Sequence, residues 1–527
     1  MKRSVMPVLI AGAALVLMAV PSSAAPSCDS LSALKLKDTS IVEVRAVTSG
    51  SFTPPGERAR AIDKLPPFCA VRGVLKPTPQ SSIQFEVWLP ENNWNGELHV
   101  VGNGGLAGTI SYPAMASALR DGFATASTDT GHTATEPATW LQDRERLIDY
   151  SYRGLHLTTV NAKAILQSYY SQSAKYAFYS GCSTGGKQGL MEAQRYPADF
   201  DGILAGDAAN YWTHQMASEV WNGVVTSSPE TNLSKEKLQL VQDRAIAMCD
   251  GLDGAKDGLI SDPMRCHFDP GTLQCAGADA PNCLTAKQVE AVRNVYSGPK
   301  NPLTGKPIYA GMYPGGEMGW ASGTVINRTT TSGVSSNSFW SYALFHNPEW
   351  QFRSFDFARD IEQADKNLAS ITNATDANLD EFRRLGHKLI YYHGAADPLI
   401  PAQNGVNYYE SVVAAQKGLD QTQGFYRTFL VPGLYHCAGG PGPIAFGTSS
   451  PAPASQRDAD HDALLALQRW VKAGTAPSKI IATKYTESDP AKGIALQRPL
   501  CPYPQVANYK GSGEMSDAAN FSCVVPK

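Results

Sequence analysis

Residues 180–186 read Ser-Gly-Cys-Ser-Thr-Gly-Gly. They contain Gly-x-Ser-x-Gly, the spacing of a sharp turn that lifts a serine hydroxyl to the top of an α/β sheet. The pattern is short, so its flanks decide. Lys175 to Ser180 alternates and is rich in aromatic residues, as a strand is, and Lys187 to Tyr196 has helix-forming residues and stops at Pro197. Gly181 and Gly185 fall where side chains would clash with the neighbouring strand and helix. Strand, turn and helix in this order point to Ser183 as a nucleophile.

A serine hydroxyl needs a base, and an imidazole base needs an acid to hold its tautomer. On a sheet of this kind the chain order is serine, acid, histidine. Asp397, in His393-Gly394-Ala395-Ala396-Asp397-Pro398, directly follows an expected strand and is the first choice of acid; Asp207 also follows one and is the competitor. His436 follows the strand ending at Val431 and precedes the last helix, where the base belongs. His393 sits on the acid loop, His461 is expected inside a helix, and His132 precedes the serine and reads as structural or supporting. An oxyanion hole would use the amide of Thr184 and one from the glycine-rich loop Gly102-Asn103-Gly104-Gly105, at Gly104 or Gly105.

These residues need a scaffold. Between Gly96 and Gly206, strand-like pieces (Leu98–Val101, Phe123–Ser127, Gly202–Gly206) alternate with the helical periodicity of Leu155–Tyr170. Such alternation implies a mostly parallel sheet with covered faces. The pattern breaks near Asn210. A helix capped by Ser234, with Leu238, Val241, Ala245 and Met248 on its apolar face, and one opened by the capping box at Thr285 lie in the interrupted stretch. The strand pattern returns at Lys388–Gly394, and a last helix carries Leu464, Leu467 and Val471. The expected architecture is α/β: an α/β-hydrolase domain in two parts, 25–209 and 385–527, around an inserted lid at 210–384.

The bulk numbers bound the function. The chain has 527 residues with 45 basic and 48 acidic side chains, a net charge of -3, and no long charged block. Nothing calls for a nucleic-acid partner. Lys2-Arg3 precedes an apolar run from Val8 to Val20 and a small-residue site ending at Ala24, which reads as a signal peptide over 1–24. The run is shorter than the ~20 residues a membrane span needs, so the mature protein is expected to be soluble and secreted or periplasmic. Ten cysteines agree with an oxidising compartment, and none forms a Cys-x-x-Cys pair. Proximity pairs Cys28 with Cys69, Cys249 with Cys266, Cys275 with Cys283 and Cys501 with Cys523. Cys182 and Cys437 remain, each beside a catalytic candidate, and in an exported chain a bridge is favoured over two buried thiols. The sequence gives no oligomeric state.

One loop in the insert stands apart. Cys249-Asp250-Gly251-Leu252-Asp253-Gly254-Ala255-Lys256-Asp257-Gly258-Leu259 places three aspartates on a glycine-punctuated turn. Oxygen ligands at this spacing suit Ca2+, although Asp-Gly turns also occur without metal and the spacing is not that of an EF-hand.

Taken together, Cys182-Ser183, Asp397 and His436-Cys437 resemble the tannase and feruloyl esterase family of exported α/β-hydrolases, which also includes mono(2-hydroxyethyl) terephthalate hydrolases. Cys501-Pro502-Tyr503-Pro504 and Tyr509-Lys510-Gly511-Ser512-Gly513 match as well. The resemblance implies a disulfide beside the catalytic set. It also implies a structural Ca2+ in the lid, held by Asp250, Asp253 and Asp257 with the carbonyls of Ala255 and Leu259. The implied substrate is a small aromatic ester, feruloyl-type first, galloyl second and terephthalate third. A lid arginine that would hold a free terephthalate carboxylate is absent from Ser335 to Phe345, with Arg328 and Arg353 nearby. Trp212, Trp221, Trp320, Phe339, Trp340 and Trp350 are the lid aromatics that could shape an acyl pocket, or simply its core. The rival from another class is a secreted binding protein that keeps the fold without turnover.

Overall fold

The computed structural model describes residues 1–2, 27–56, 60–322, 325, 335–448 and 452–526. The signal segment from residue 3 onward, its cleavage site and Arg328 lie outside the described residues.

Nine strands form one sheet in the order β1-β2-β3-β5-β4-β6-β7-β8-β9. They are β1 (Thr39–Val47), β2 (Phe68–Leu75), β3 (Ile83–Pro90), β4 (Glu97–Val101), β5 (Ala124–Thr128), β6 (Tyr176–Cys182), β7 (Gly202–Gly206), β8 (Lys388–Gly394) and β9 (Tyr426–Val431). The first three join by antiparallel pairing, β3 meets β5 antiparallel, and β4 to β9 run parallel. The sequence reading named the parallel strands to within a few residues and did not name β1 to β3. A parallel strand is buried on both faces, and alternate residues here serve opposite cores. Ala177, Tyr179, Ile203, Leu389 and Tyr391 face one, while Phe178, Leu204, Ile390, Tyr392 and Phe429 face the other.

The helices that matter to the site are α1 (Gly154–Tyr170), α2 (Thr184–Arg195), α3 (Trp212–Thr226), α4 (Lys235–Cys249), α5 (Ala286–Ser297) and α6 (Ala463–Ala473). β7 and β8 are neighbours in the sheet. The residues between them add no strand to it among those described, so α3 to α5 and their loops form an insert on an α/β-hydrolase fold. α4 differs from expectation in its buried face: Leu238, Val241 and Ala245 are buried, but Met248 is exposed and Cys249 takes its place. The capping box at Thr285 and Gln288 is present, and Gly298 ends α5 at φ 69°. In α6 the buried face is Ala463, Ala466, Leu467 and Trp470, with Leu464 and Val471 packed at its edge. His461 lies in the turn before α6, bonded to Asp458, and not inside a helix. Among the described residues no helix is long and apolar enough to cross a membrane.

Candidate active site

β6 ends at Cys182 and α2 begins at Thr184, so Ser183 alone makes the turn. The helix starts three residues earlier than its composition indicates, because the turn residues Thr184 to Gly186 belong to its first turn. Ser183 is held at φ 66°, ψ -122°, a conformation that costs a non-glycine residue about 1–3 kcal/mol and recurs at functional sites. The flanking glycines permit it. A Cβ on Gly181 would come within 2.8 Å of the Gly185 backbone, and one on Gly185 within 2.8 Å of the Asn103 carbonyl.

The three candidate residues converge from the ends of β6, β8 and β9. His436 Nε2 lies 2.8 Å from Ser183 Oγ, and its Nδ1 lies 2.8 Å from Asp397 Oδ2. The other carboxylate oxygen of Asp397 accepts the amides of Leu399 at 2.7 Å and Ile400 at 3.0 Å. With Asp397 as acceptor, His436 carries its proton on Nδ1 and offers Nε2 to the serine hydroxyl. Burial resists charging either group, but the pair outweighs it. Asp397 is held well below the usual carboxylate range by His436 and His393, and His436 is raised above an ordinary imidazole, chiefly by Asp397.

The disulfide Cys182–Cys437 joins the residue before the serine to the residue after the histidine, across 255 positions. The other four bridges pair Cys28–Cys69, Cys249–Cys266, Cys275–Cys283 and Cys501–Cys523, as proximity indicated.

The glycine-rich loop after β4 is fixed against α2. Asn103 donates to the Thr128 carbonyl at 2.9 Å and accepts from Gln188 at 2.8 Å. Thr184 Oγ1 and the Tyr150 hydroxyl both donate to the Gly105 carbonyl, at 2.7 and 2.8 Å. The loop that carries Gly104 and Gly105 is thereby tied to the first residue of α2, the arrangement a preformed anion hole needs. Tyr150 and Gln188 were not singled out from sequence. Neither was Lys187, which is wholly buried with its ammonium 4.6 Å from the Tyr150 ring and 4.2 Å from the Trp212 ring; burial lowers its pKa to about 7. Its position one turn after Ser183, on the inward face of α2, was the available signal.

The alternatives stand outside the hydrogen-bond chain, Asp207 and His393 beside it. Asp207 is not hydrogen-bonded to His436. His393 is buried between the hydroxyl of Tyr391 and the carbonyl of Ile400, and His132 stacks on Trp140. Among the insert aromatics, Trp212, Phe339, Trp340 and Trp350 share a buried cluster with Trp140, Tyr150 and Ile400, against which Leu106 packs. This cluster therefore abuts both the acid loop and the glycine-rich loop. Trp320 belongs to a separate core with Leu238 and Val292, and Trp221 donates to the Asn294 carbonyl. Arg353 is exposed and bonds Ser227.

In the acidic loop, Asp250 accepts the amides of Asp257, Gly258 and Leu259, and Asp253 accepts that of Ala255. Asp257 pairs with the buried Arg498 of β11 (Ile494–Leu500), which is itself paired with β10 (Ile480–Tyr485). Asp253 Oδ2 is buried with no hydrogen-bond partner, and burial raises the pKa of both Asp253 and Asp257. Asp250 and Asp257 are engaged by amides and Arg498 and the three carboxylates do not converge on one point, so the unpaired oxygen of Asp253 is what the loop offers a hard cation here.

A serine, a histidine and a carboxylate in hydrogen-bond contact at the carboxyl edge of this sheet are the arrangement of the α/β-hydrolase fold. The comparison with known proteins carries this further. The family model of tannase and feruloyl esterase matches residues 69–524. An uncharacterized esterase of Xanthomonas campestris pv. campestris is 39% identical over 531 aligned positions, spanning 95% of this chain and 92% of that one. A probable feruloyl esterase B-2 of Aspergillus terreus is 34% identical over 462 residues, 87% of this chain and 86% of its own. The crystal structure of feruloyl esterase B from Aspergillus oryzae superposes with a TM-score of 0.87 at 30% identity, covering 94% of this chain and 99% of that one. The chain belongs to the tannase and feruloyl esterase family and is a carboxylic ester hydrolase.

Proposed function

We propose that this protein hydrolyses esters of phenolic aromatic acids through an acyl-enzyme on Ser183, with feruloyl-type esters as substrate. The observation that carries the reading is the unbroken hydrogen-bond chain Ser183–His436–Asp397 at the end of the parallel strands. Ser183 Oγ attacks the ester carbonyl while His436 Nε2 takes its proton. Asp397 holds the ring and stabilises the imidazolium. The amide of Thr184 and that of Gly104 or Gly105 receive the oxyanion. His436 then protonates the leaving alcohol, and water, activated by the same ring, releases the acid.

The substrate class is supported by the aromatic cluster that the insert packs against the acid and glycine-rich loops, and by relatives named as feruloyl esterases. Galloyl esters are the second reading. Arg353 is exposed, bonded to Ser227 and set over the Phe352 ring, and terephthalate monoesters are the third reading. The test is kcat/KM on methyl ferulate, methyl gallate and mono(2-hydroxyethyl) terephthalate. A preference of tenfold or more for the gallate would replace the feruloyl reading.

The insert acts as a lid over the acyl side, and Ca2+ would be held by Asp250, Asp253 and Asp257 with carbonyls of Ala255 and Leu259. Its contribution would be charge neutralisation that holds the loop against β11, with no part in the chemistry. Five disulfides support export to an oxidising compartment.

A further inference from the structure

Two adjacent strands each end in a buried aspartate, and the mechanism above uses only one of them. β8 leads to Asp397. β7 leads directly to Asp207, which is wholly buried and held at φ 40°, a backbone conformation side chains other than glycine rarely adopt. Its carboxylate is fully occupied. Oδ1 accepts the Gly394 amide at 2.6 Å, three residues before Asp397, and Oδ2 accepts the Cys437 amide at 2.8 Å, next to His436. Oδ2 also lies 3.3 Å from Cys182 Sγ. One side chain thus touches the acid loop, the histidine loop and the bridge beside the nucleophile.

Burial pushes the pKa of the Asp207 carboxyl up, while His393, His436 and the Gly394 amide favour its ionised form, and its place beside the two imidazoles suits a carboxylate. A carboxylate oxygen from Asp207, one from Asp397 and a ring nitrogen of His436 all lie within 4.8 Å of one another. His393 sits between the carboxylates, with Nε2 3.7 Å from Asp207 Oδ1 and 3.5 Å from Asp397 Oδ2. The other titratable groups facing this cluster are Glu219 of α3 toward His436, Tyr309 toward Asp397, and Tyr391 toward Asp207. At such separations and in a water-poor site, a second negative charge stabilises an imidazolium appreciably.

We propose that Asp207 is a positioning residue of this esterase: it anchors the backbone that carries His436 and supplies a second carboxylate that favours the imidazolium formed as Ser183 loses its proton. The inference rests on the Ser183–His436 reading. A brace would explain the two amide contacts, which fall on different oxygens of one side chain and so suit a carboxylate. It would not by itself call for that carboxylate to lie beside His436, where its burial carries a desolvation cost. Two imidazoles face that carboxylate: His393, which lies between Asp207 and Asp397, and His436, which becomes positive as Ser183 loses its proton. The second is the one the reaction charges.

The experiment is the pH profile of kcat/KM for Asp207→Asn, with Asp207→Ser as a second variant should the amide disturb folding. Asparagine keeps one acceptor and removes the charge. The expected result is a folded protein whose Ser183 still reacts with a serine-directed phosphonate. Its kcat should be lowered about tenfold or more, its KM should change by less than about threefold, and its acid limb should move down by roughly one pH unit. An acid limb at the wild-type position, with only the unfolding temperature lowered, would reduce Asp207 to a structural brace and overturn the proposal. Ser183→Ala is run alongside: full hydrolysis in that variant would overturn the nucleophile reading itself, an outcome separate from any behaviour of Asp207→Asn.

Discussion

The catalytic corner and the acidic loop are both clusters of charged side chains, but they are assembled in opposite ways. Ser183, Asp397 and His436 come from three strands, with 253 positions between the serine and the histidine. Sheet pairing and a disulfide hold them, and their side chains bond to one another, with the far oxygen of Asp397 fixed by two amides. Asp250, Asp253 and Asp257 come from one short stretch, are turned onto its own amides, and have Arg498 as a counter-charge. One buried oxygen remains unpaired. A long-range site can be rigid before any ligand arrives, whereas a local acidic turn remains electrostatically incomplete. The first cluster should therefore govern rate and hardly touch stability, and the second should do the reverse.

The sharpest way to break that contrast is Ser183→Ala. It should lower kcat/KM about 10⁵-fold while leaving the unfolding temperature nearly unchanged; a variant that retains hydrolysis would remove Ser183 from the mechanism. Asp397→Asn comes next, at roughly 10³–10⁴-fold in kcat, through loss of the tautomer and of imidazolium stabilisation. It also has a signed pH consequence. The enzyme needs neutral His436, whose pKa is raised from its ordinary 6.5 mainly by Asp397. The wild-type acid limb of kcat/KM should thus lie above 6.5, and Asp397→Asn should move it downward. An unshifted limb would mean that another group sets it.

Removal of the Cys182–Cys437 bridge by paired serines tests whether the corner is as rigid as its connections imply. A cross-link closing so long a loop contributes about 2–5 kcal/mol to stability in chain-entropy terms. Chemical denaturation should show a loss in that range, with activity falling as the histidine loop loosens. Unaltered activity in the doubly substituted protein would show that hydrogen bonds alone hold His436. The smallest expected effect on rate belongs to chelation. Stripping divalent ions should lower the unfolding temperature by roughly a few degrees and leave kcat/KM within about twofold. Asp253→Asn should erase the response to added Ca2+. A melting curve indifferent to chelator would leave Arg498 as the loop's counter-charge.

How much was legible in the sequence follows the same division between local and distant. The elbow could be read because glycines mark it, and the parallel strands because doubly buried segments are short apolar runs. β1 to β3 escaped notice. Thr39–Val47, with most of its residues exposed or half-buried, carries a weak signal, whereas β2 and β3 are mostly buried and exposure does not account for their being missed. The candidate triad came from chain order and strand ends. Its supports did not, because Tyr150, Gln188 and Lys187 acquire their roles only when α2 and the segment before α1 meet the glycine-rich loop. Met248 shows the limit at finer scale: periodicity placed it on the buried face of α4, but the Cys249–Cys266 bridge turns the last turn of that helix inward one residue later.

The bridge beside the nucleophile has one more consequence. Every residue of the insert lies between Cys182 and Cys437 in the chain, and its own two disulfides close only on themselves. A peptide bond cut anywhere from residue 284 to residue 387 would therefore leave a single covalent molecule, with nucleophile and base still joined at the point where they meet. The insert could be nicked, or rebuilt as new chain ends, without the two halves of the sheet drifting apart, and reduction would then be the step that separates them.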